Sequence, residues 1–153
     1  MRLGRAGLLL VVLLAWPLTV AAGPDAWLVL TTDEPERGVA CLPLKAGEPF
    51  TLEFINSIYL APVRESYVYE PPEGVFTILV ESPHAGVFEY LGLIPEEPGK
   101  ARLRRKLGDI RLLSSDYQNH RLTVGGTGLR LKGLVPDGQP IILRVLTERR
   151  CEP

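Results

Sequence analysis

The sequence predicts an all-β protein, an antiparallel β-sandwich or flattened barrel of about eight to nine short strands. Short apolar runs alternate with turn residues at regular spacing along the chain. Glycine occurs 15 times and proline 14 times, scattered as a fold with many turns requires. After the N-terminal segment, no stretch keeps the apolar period that an amphipathic helix needs.

Residues 1–22 predict a secretory signal peptide. Arg2 and Arg5 precede an uncharged stretch, and small residues mark a cleavage site after Ala22. An uncleaved membrane anchor is the alternative, because the uncharged run is at the lower limit of length for a spanning helix. Residues 23–153 are then expected to form one β-sandwich domain outside the cytoplasm. It would lie in the periplasm or cell envelope, or be secreted, and would meet the membrane only through an uncleaved N-terminal segment.

Composition and charge narrow the classes of function. The chain has a formal net charge of −1, and removing the signal segment with its two arginines leaves 15 basic against 18 acidic residues. A mildly acidic domain is unsuited to nucleic acid, since phosphate contacts need a basic surface. Met occurs only at position 1, and Asn and Gln twice each, which together with proline-rich loops indicates a thermophilic source.

Export also changes the meaning of the two cysteines, Cys41 and Cys151. In an oxidising compartment they can pair, joining an early strand to the C-terminal tail. The alternative is one buried thiol and one on a frayed tail. No C-x-x-C motif is present, and two cysteines and two histidines far apart make no recognisable zinc site. We therefore expect no metal and no cofactor.

The strands follow from apolar runs bounded by turns. The first predicted strand, 26–32, is an apolar run with β-branched residues at its end, and the second, 39–44, ends near Pro43. Residues 75–82 are apolar on both faces, as in an internal strand. The two arms of a hairpin within Phe50–Tyr69 lie between the second strand and residues 75–82. The remaining predicted strands are 109–114, 121–124, 129–132 and 141–146.

The remaining segments are connections. Gly125–Gly128 suits a tight hairpin turn and is not a phosphate loop, because no helix follows it and the lysine of that motif is absent. Lys100–Lys106 is either a helical turn or an edge strand guarded by its cations, with a solvated face favoured over an acidic partner. Residues 83–92 are predicted to be irregular. Asp116, Tyr117 and His120 are predicted to lie on a solvated loop.

The hairpin carries the most specific prediction. Side chains alternate between the two faces of a strand, so Phe50, Leu52 and Phe54 share one face. A four-residue loop at Tyr59–Pro62 pairs Phe54 with Tyr67, Leu52 with Tyr69 and Ile58 with Val63. This register places Asn56 opposite Glu65 within an apolar face.

Two readings of that polar pair stay open. Asn56 and Glu65 either form a satisfied pair that fixes the register, or mark a polar spot at a cavity or partner surface. The first predicts that Glu65 is fully enclosed with protein partners only. An open pocket beside it favours the second.

Catalysis has weak support. A Ser–His–acid triad can be drawn with Ser57, His84 and Glu65, but no G-x-S-x-G motif accompanies it. We keep a Ser/His hydrolase as an alternative function. It requires His84 to lie within hydrogen-bond reach of Ser57.

The hairpin contains a motif-like run: Asn56-Ser57-Ile58, then after a turn Ala61-Pro62-Val63, and then Glu65 and Tyr67. With this run the chain resembles a family of exported bacterial domains of unknown function whose genes often lie beside, or are fused to, TAXI-type TRAP transporter genes. The family's run is His-Ser-Val, a turn, Thr-Pro-Val, an acid and a tyrosine. Asn replaces the family's histidine, and Ala its threonine.

The resemblance implies a non-catalytic accessory domain of a TRAP-type solute uptake system. Its partners would be transporter subunits or a small solute. A purely structural envelope protein is the third alternative. The candidate binding residues are Asn56, Ser57, Arg64, Glu65, Tyr67 and His84.

Overall fold

The computed structural model describes residues 23–149 and contains ten strands and one short helix. The predicted all-β sandwich is confirmed, with ten strands in place of the expected eight or nine. Residues 1–22, predicted to be a signal peptide, and Cys151 lie outside the described residues. Within 23–149, no helix has the length and hydropathy to cross a membrane. The elements are β1 (Ala26–Thr32), β2 (Gly38–Leu44), β3 (Pro49–Asn56), β4 (Ala61–Glu70), β5 (Gly74–Glu81), α1 (Ala85–Leu91), β6 (Lys100–Leu107), β7 (Ile110–Leu112), β8 (Arg121–Val124), β9 (Thr127–Arg130) and β10 (Ile141–Leu146).

The strands form two sheets in which every neighbouring pair is antiparallel. The four-stranded sheet has the order β2-β1-β10-β7, and the six-stranded sheet has the order β6-β5-β4-β3-β8-β9. β8 and β9 are joined by the predicted glycine turn, where Gly125 and Gly126 both take positive φ. Such a two-residue turn matches the right-handed twist of a hairpin.

The sheets pack face to face around a large apolar cluster. Leu28, Leu30 and Leu143 of the four-stranded sheet meet Phe50 and Leu52 of the six-stranded sheet, and all five are buried. Alternation along each strand supplies these side chains to one face, which we call the inner face of its sheet.

A second apolar cluster lies beside the first, under α1. Val87 and Phe88 of the helix pack on Val63 and Val80 of the six-stranded sheet. The prediction of an irregular segment here was wrong. The helix is only seven residues long, too short to show an apolar period, and its N-cap is His84, which is not among the common capping residues.

The basic segment is β6, an edge strand, so the second of its two predicted forms is correct. Its alternate residues Lys100, Arg102, Arg104 and Lys106 point away from the inner face. Lys100 pairs with Glu81, Arg102 with Glu96 and Glu97, and Arg104 with Glu70 and Glu73. Most of the positive charge is therefore compensated by the chain itself.

The predicted hairpin register was wrong. Phe50 pairs with Tyr67, Leu52 with Glu65, and Asn56 with Ala61. The reason is local, since Asn56 Oδ1 accepts hydrogen bonds from the N–H groups of Ile58 and Tyr59, both at 3.0 Å. This Asx-type turn starts the loop directly after Asn56, so the four turn residues are 57–60.

The error left every side chain on its predicted face. The pairing moved by an even number of residues along the strands, and side chains alternate with a period of two. Glu65 therefore lies on the inner face, as expected, but Asn56 is not its partner.

The prediction that Asp116, Tyr117 and His120 lie on a solvated loop was wrong for Tyr117 and His120, although Ser115, Gln118 and Asn119 are exposed. Tyr117 is buried, and its hydroxyl lies 2.8 Å from the carbonyl oxygens of both Leu112 and Gln139. It also accepts a hydrogen bond from the N–H of Ile141. His120 stacks on Phe54 at 5.8 Å between ring centroids. The loop is thus fastened to the ends of β7 and β10 and to β3.

We expect Tyr117→Phe to lower the free energy of unfolding by about 1–3 kcal/mol, because it leaves buried backbone groups without their partner. Urea denaturation measures this. Tyr90→Phe is the matched control, since Tyr90 is 61% exposed, and it should be nearly neutral. Equal effects of the two substitutions would contradict the role given to the Tyr117 hydroxyl.

Candidate functional site

The structure separates the predicted binding residues into three places. Glu65 and Tyr67 lie together on the inner face of β4. Arg64 points to the outer face of the same strand, where its Nε lies 3.6 Å from Glu53 Oε1. Ser57 and His84 lie near the β3–β4 turn, outside both sheets. The six residues therefore do not form one site.

The β3–β4 turn (Ser57–Leu60) rests on the start of α1. The rings of Tyr59 and His84 are stacked at 4.7 Å between centroids. His84 caps the helix, because its Nδ1 accepts a hydrogen bond from the N–H of Gly86. A Cβ on Gly86 would lie 2.6 Å from the Tyr59 ring, so glycine allows the close approach. Asn56 closes the turn and is a structural residue.

The three residues of the drawn triad do not form one. In such a triad the histidine donates from Nδ1 to the acid. Here His84 Nδ1 is an acceptor for Gly86, and Glu65 is bonded to Tyr67 instead. No hydrogen bond joins Ser57 to His84 within residues 23–149.

A pocket of about 170 Å³ opens beside Glu65. It lies on the inner face of the six-stranded sheet, at the seam between the two apolar clusters, and we call it the seam pocket. Leu91 and Leu93 line it from the α1 side, and Leu107 and Ile110 from the side of the sandwich. The remaining lining residues are Glu65, Tyr67, Thr77, Val80, Leu103 and Arg105.

The polar floor of the pocket is a carboxyl–phenol pair. The Tyr67 hydroxyl donates to Glu65 Oε2, and Tyr67 is buried while Glu65 is half-buried. Burial raises the pKa of Glu65, while the Tyr67 hydrogen bond and the Arg105 charge oppose that rise. Burial and the neighbouring carboxylate raise the pKa of Tyr67, which keeps its proton. An apolar pocket with a perturbed acid is the usual form of a binding site.

Arg105 is the residue of this site that was not predicted from the sequence. It belongs to β6, where Ala101, Leu103 and Leu107 share its face. An arginine set into an alternating apolar face was the available signal. Because five cations lie close together in 100–106, the sequence shows one basic cluster, and the structure divides it between the two faces of β6. Arg105 forms no ion pair in the described part of the chain.

A larger, open groove of about 580 Å³ lies at the outer face and holds Arg64. Across it, Lys100, Glu81, Arg64 and Glu53 are paired in register on β6, β5, β4 and β3. The charges alternate in sign, with ion pairs at 3.6 Å and 3.7 Å. They neutralise one another and leave no unbalanced charge for a ligand.

The described residues contain no group of three or more His, Cys, Asp or Glu side chains suited to a metal ion. Comparisons with known proteins add no relative. No family model, no curated protein and no solved structure matches this chain.

We expect Glu65→Gln to stabilise the protein at neutral pH. A carboxyl whose folded pKa lies above its ordinary value of 4.5 binds its proton more tightly when folded, so stability falls as the pH rises through that window. A glutamine side chain has no acidic proton to titrate, so the variant does not lose stability in this way. The difference in unfolding free energy should therefore be smallest below pH 4.5 and grow toward pH 7.

Urea unfolding at several pH values measures the difference. Glu89→Gln is the control, because Glu89 is exposed on α1 and forms no ion pair among residues 23–149. A stability difference for Glu65→Gln that does not change with pH would contradict the assignment.

Proposed function

We propose that the protein is an exported, non-catalytic accessory domain of a TRAP-type solute uptake system and that it holds a small solute in the seam pocket. The observation that carries the binding function is the Glu65 carboxylate exposed to an aliphatic pocket. A residue that only fixed the register would be enclosed by protein partners. Its open side favours the second of the two readings of this acid.

The β3–β4 turn is the proposed contact with the transporter. Ile58 is 57% exposed and Leu60 is 79% exposed, at the tip of the hairpin that carries the family resemblance. Large apolar side chains exposed together are typical of a protein-binding surface. Stacking of Tyr59 on His84 holds the turn in place, so little order would have to be gained on binding.

The other functional readings have less support. The hydrolase lacks hydrogen bonds among Ser57, His84 and Glu65. A purely structural envelope protein gives no reason for an acid beside an open pocket, because the desolvation of a half-buried carboxylate is unfavourable there even with the Tyr67 hydrogen bond.

We propose in addition that the protein is exported to an oxidising compartment and that it comes from a thermophilic source. In that compartment Cys41 pairs with Cys151. Arg149, the last described residue, lies over Trp27 at 5.3 Å. Trp27 shares a sheet face with Cys41, because Val29 pairs with Cys41 and lies two residues from Trp27. The described chain therefore ends on the sheet that carries Cys41.

Co-purification tests the transporter association. From native membranes, the tagged protein should bring down the TRAP transporter subunits, identified by mass spectrometry. The double substitution Ile58→Ser/Leu60→Asn should reduce their recovery at least tenfold. Asn tolerates the positive φ of 52° at position 60, so the turn should keep its shape.

Leu113→Ser is the matched control, because Leu113 is 75% exposed but lies outside the hairpin. It should leave recovery unchanged. Recovery of the wild-type protein without any transporter subunit would refute the association.

The cysteine pair has its own test. Thiol titration of the unfolded, exported protein should find no free thiol before reduction and two after it. Reduction should lower the free energy of unfolding by up to about 4 kcal/mol in the chain-entropy description of a long loop. Cys41→Ser and the double substitution with Cys151→Ser should lower it equally. Two thiols that titrate without reductant would contradict the pair.

A further inference from the structure

We infer that the ligand of the seam pocket is a small aliphatic zwitterion of the α-amino acid class. Its ammonium group would lie on Glu65, its carboxylate on Arg105, and its side chain against the leucines. This inference rests on the proposed binding function and names the chemistry of that site.

The floor of the pocket calls for a cation. Glu65 Oε2 accepts from Tyr67, but Oε1 has no donor among the described residues. Oε1 is also not one of the fully enclosed unpaired atoms, so it keeps some exposure, and Glu65 lines the pocket. A half-buried carboxylate with one unpaired oxygen gains most from a charged hydrogen-bond donor.

The rim of the pocket calls for an anion. Arg105 is exposed, lines the pocket and pairs with no acid of the chain within 23–149. Its neighbours Arg102 and Arg104, on the opposite face of β6, are each paired with two acids. A guanidinium presents a planar fork of donors that matches a carboxylate.

The two charges together select the class of ligand. A simple amine would suit Glu65 but would be repelled by Arg105. A simple carboxylate would suit Arg105 but would be repelled by Glu65. A molecule that carries one charge of each sign complements both groups, and like-charge contacts are a general source of selectivity.

The volume and the lining of the pocket limit which zwitterionic amino acids can bind. Its volume is about 170 Å³, room for roughly six to nine non-hydrogen atoms if each takes somewhat less than the share of a liquid water molecule. The walls are aliphatic, with Leu91, Leu93 and Leu103 half-buried. Valine and leucine fit these limits, and larger or more polar amino acids fit less well.

Isothermal titration calorimetry on the exported protein, purified as its host processes it, tests the inference with three probes. They are L-leucine, 3-methylbutylamine, which is leucine without its carboxylate, and 4-methylpentanoate, which is leucine without its ammonium. Leucine should bind at least tenfold more tightly than either fragment. Equal or tighter binding of one fragment would overturn the zwitterion.

Two substitutions assign the ends of the ligand. Glu65→Gln should weaken leucine at least tenfold while leaving 4-methylpentanoate unchanged or tighter. Arg105→Gln should weaken leucine at least tenfold while leaving 3-methylbutylamine unchanged or tighter. Arg102→Gln, on the opposite face of the same strand, is the control and should change neither. Circular dichroism confirms that each variant is folded.

The outcomes separate this inference from the proposed function. Absence of leucine binding to the folded wild-type protein, with transporter subunits still recovered, would overturn the zwitterion and leave the accessory role. Leucine binding without recovery of transporter subunits would support the site and refute the transporter association. Unchanged leucine binding in Glu65→Gln or Arg105→Gln would overturn the assignment of that residue.

Discussion

The six-stranded sheet is wider than the four-stranded sheet that covers it, and much of the architecture follows from that mismatch. An apolar face must be buried, so the uncovered part of the inner face needs a second layer. The short helix α1 supplies it by packing Val87 and Phe88 on Val63 and Val80. Two separate layers on one face leave a seam, and the seam pocket is the space between them.

The seam explains how an acid can lie on the inner face. In the middle of either apolar cluster, the Glu65 carboxylate would have no compensation for its lost hydration. At the seam it receives the Tyr67 hydroxyl and the nearby charge of Arg105, and one oxygen stays open. Burial still raises its pKa, so the residue disfavours the folded state at neutral pH. Retaining a destabilising group is a common trade-off at functional sites.

The outer face shows the opposite use of charge. On β6 alone, three of the four outward cations have acids of the chain as partners. The inward Arg105 and the outward Lys106 both lack an acid partner within residues 23–149, but of the five cations on β6 Arg105 alone lines the seam pocket. On this strand, the face on which a cation lies therefore distinguishes the candidate binding residue from its neighbours, although all five are close together in sequence.

By itself, the sequence determined the all-β class, most strand positions and the face on which Glu65 lies, because these follow from local turn chemistry and a period of two. It also limited the segment Lys100–Lys106 to a helical turn or an edge strand, and the structure shows the edge strand β6. The hairpin register depends on the local turn that Asn56 closes, and strand alternation is compatible with either register. Tertiary structure alone decided the burial of Tyr117 and the helix at 85–91, which depend on contacts between distant segments. The same holds for the candidate site, since Glu65 and Arg105 line one pocket only when β4, β5 and β6 pair and α1 packs on their sheet.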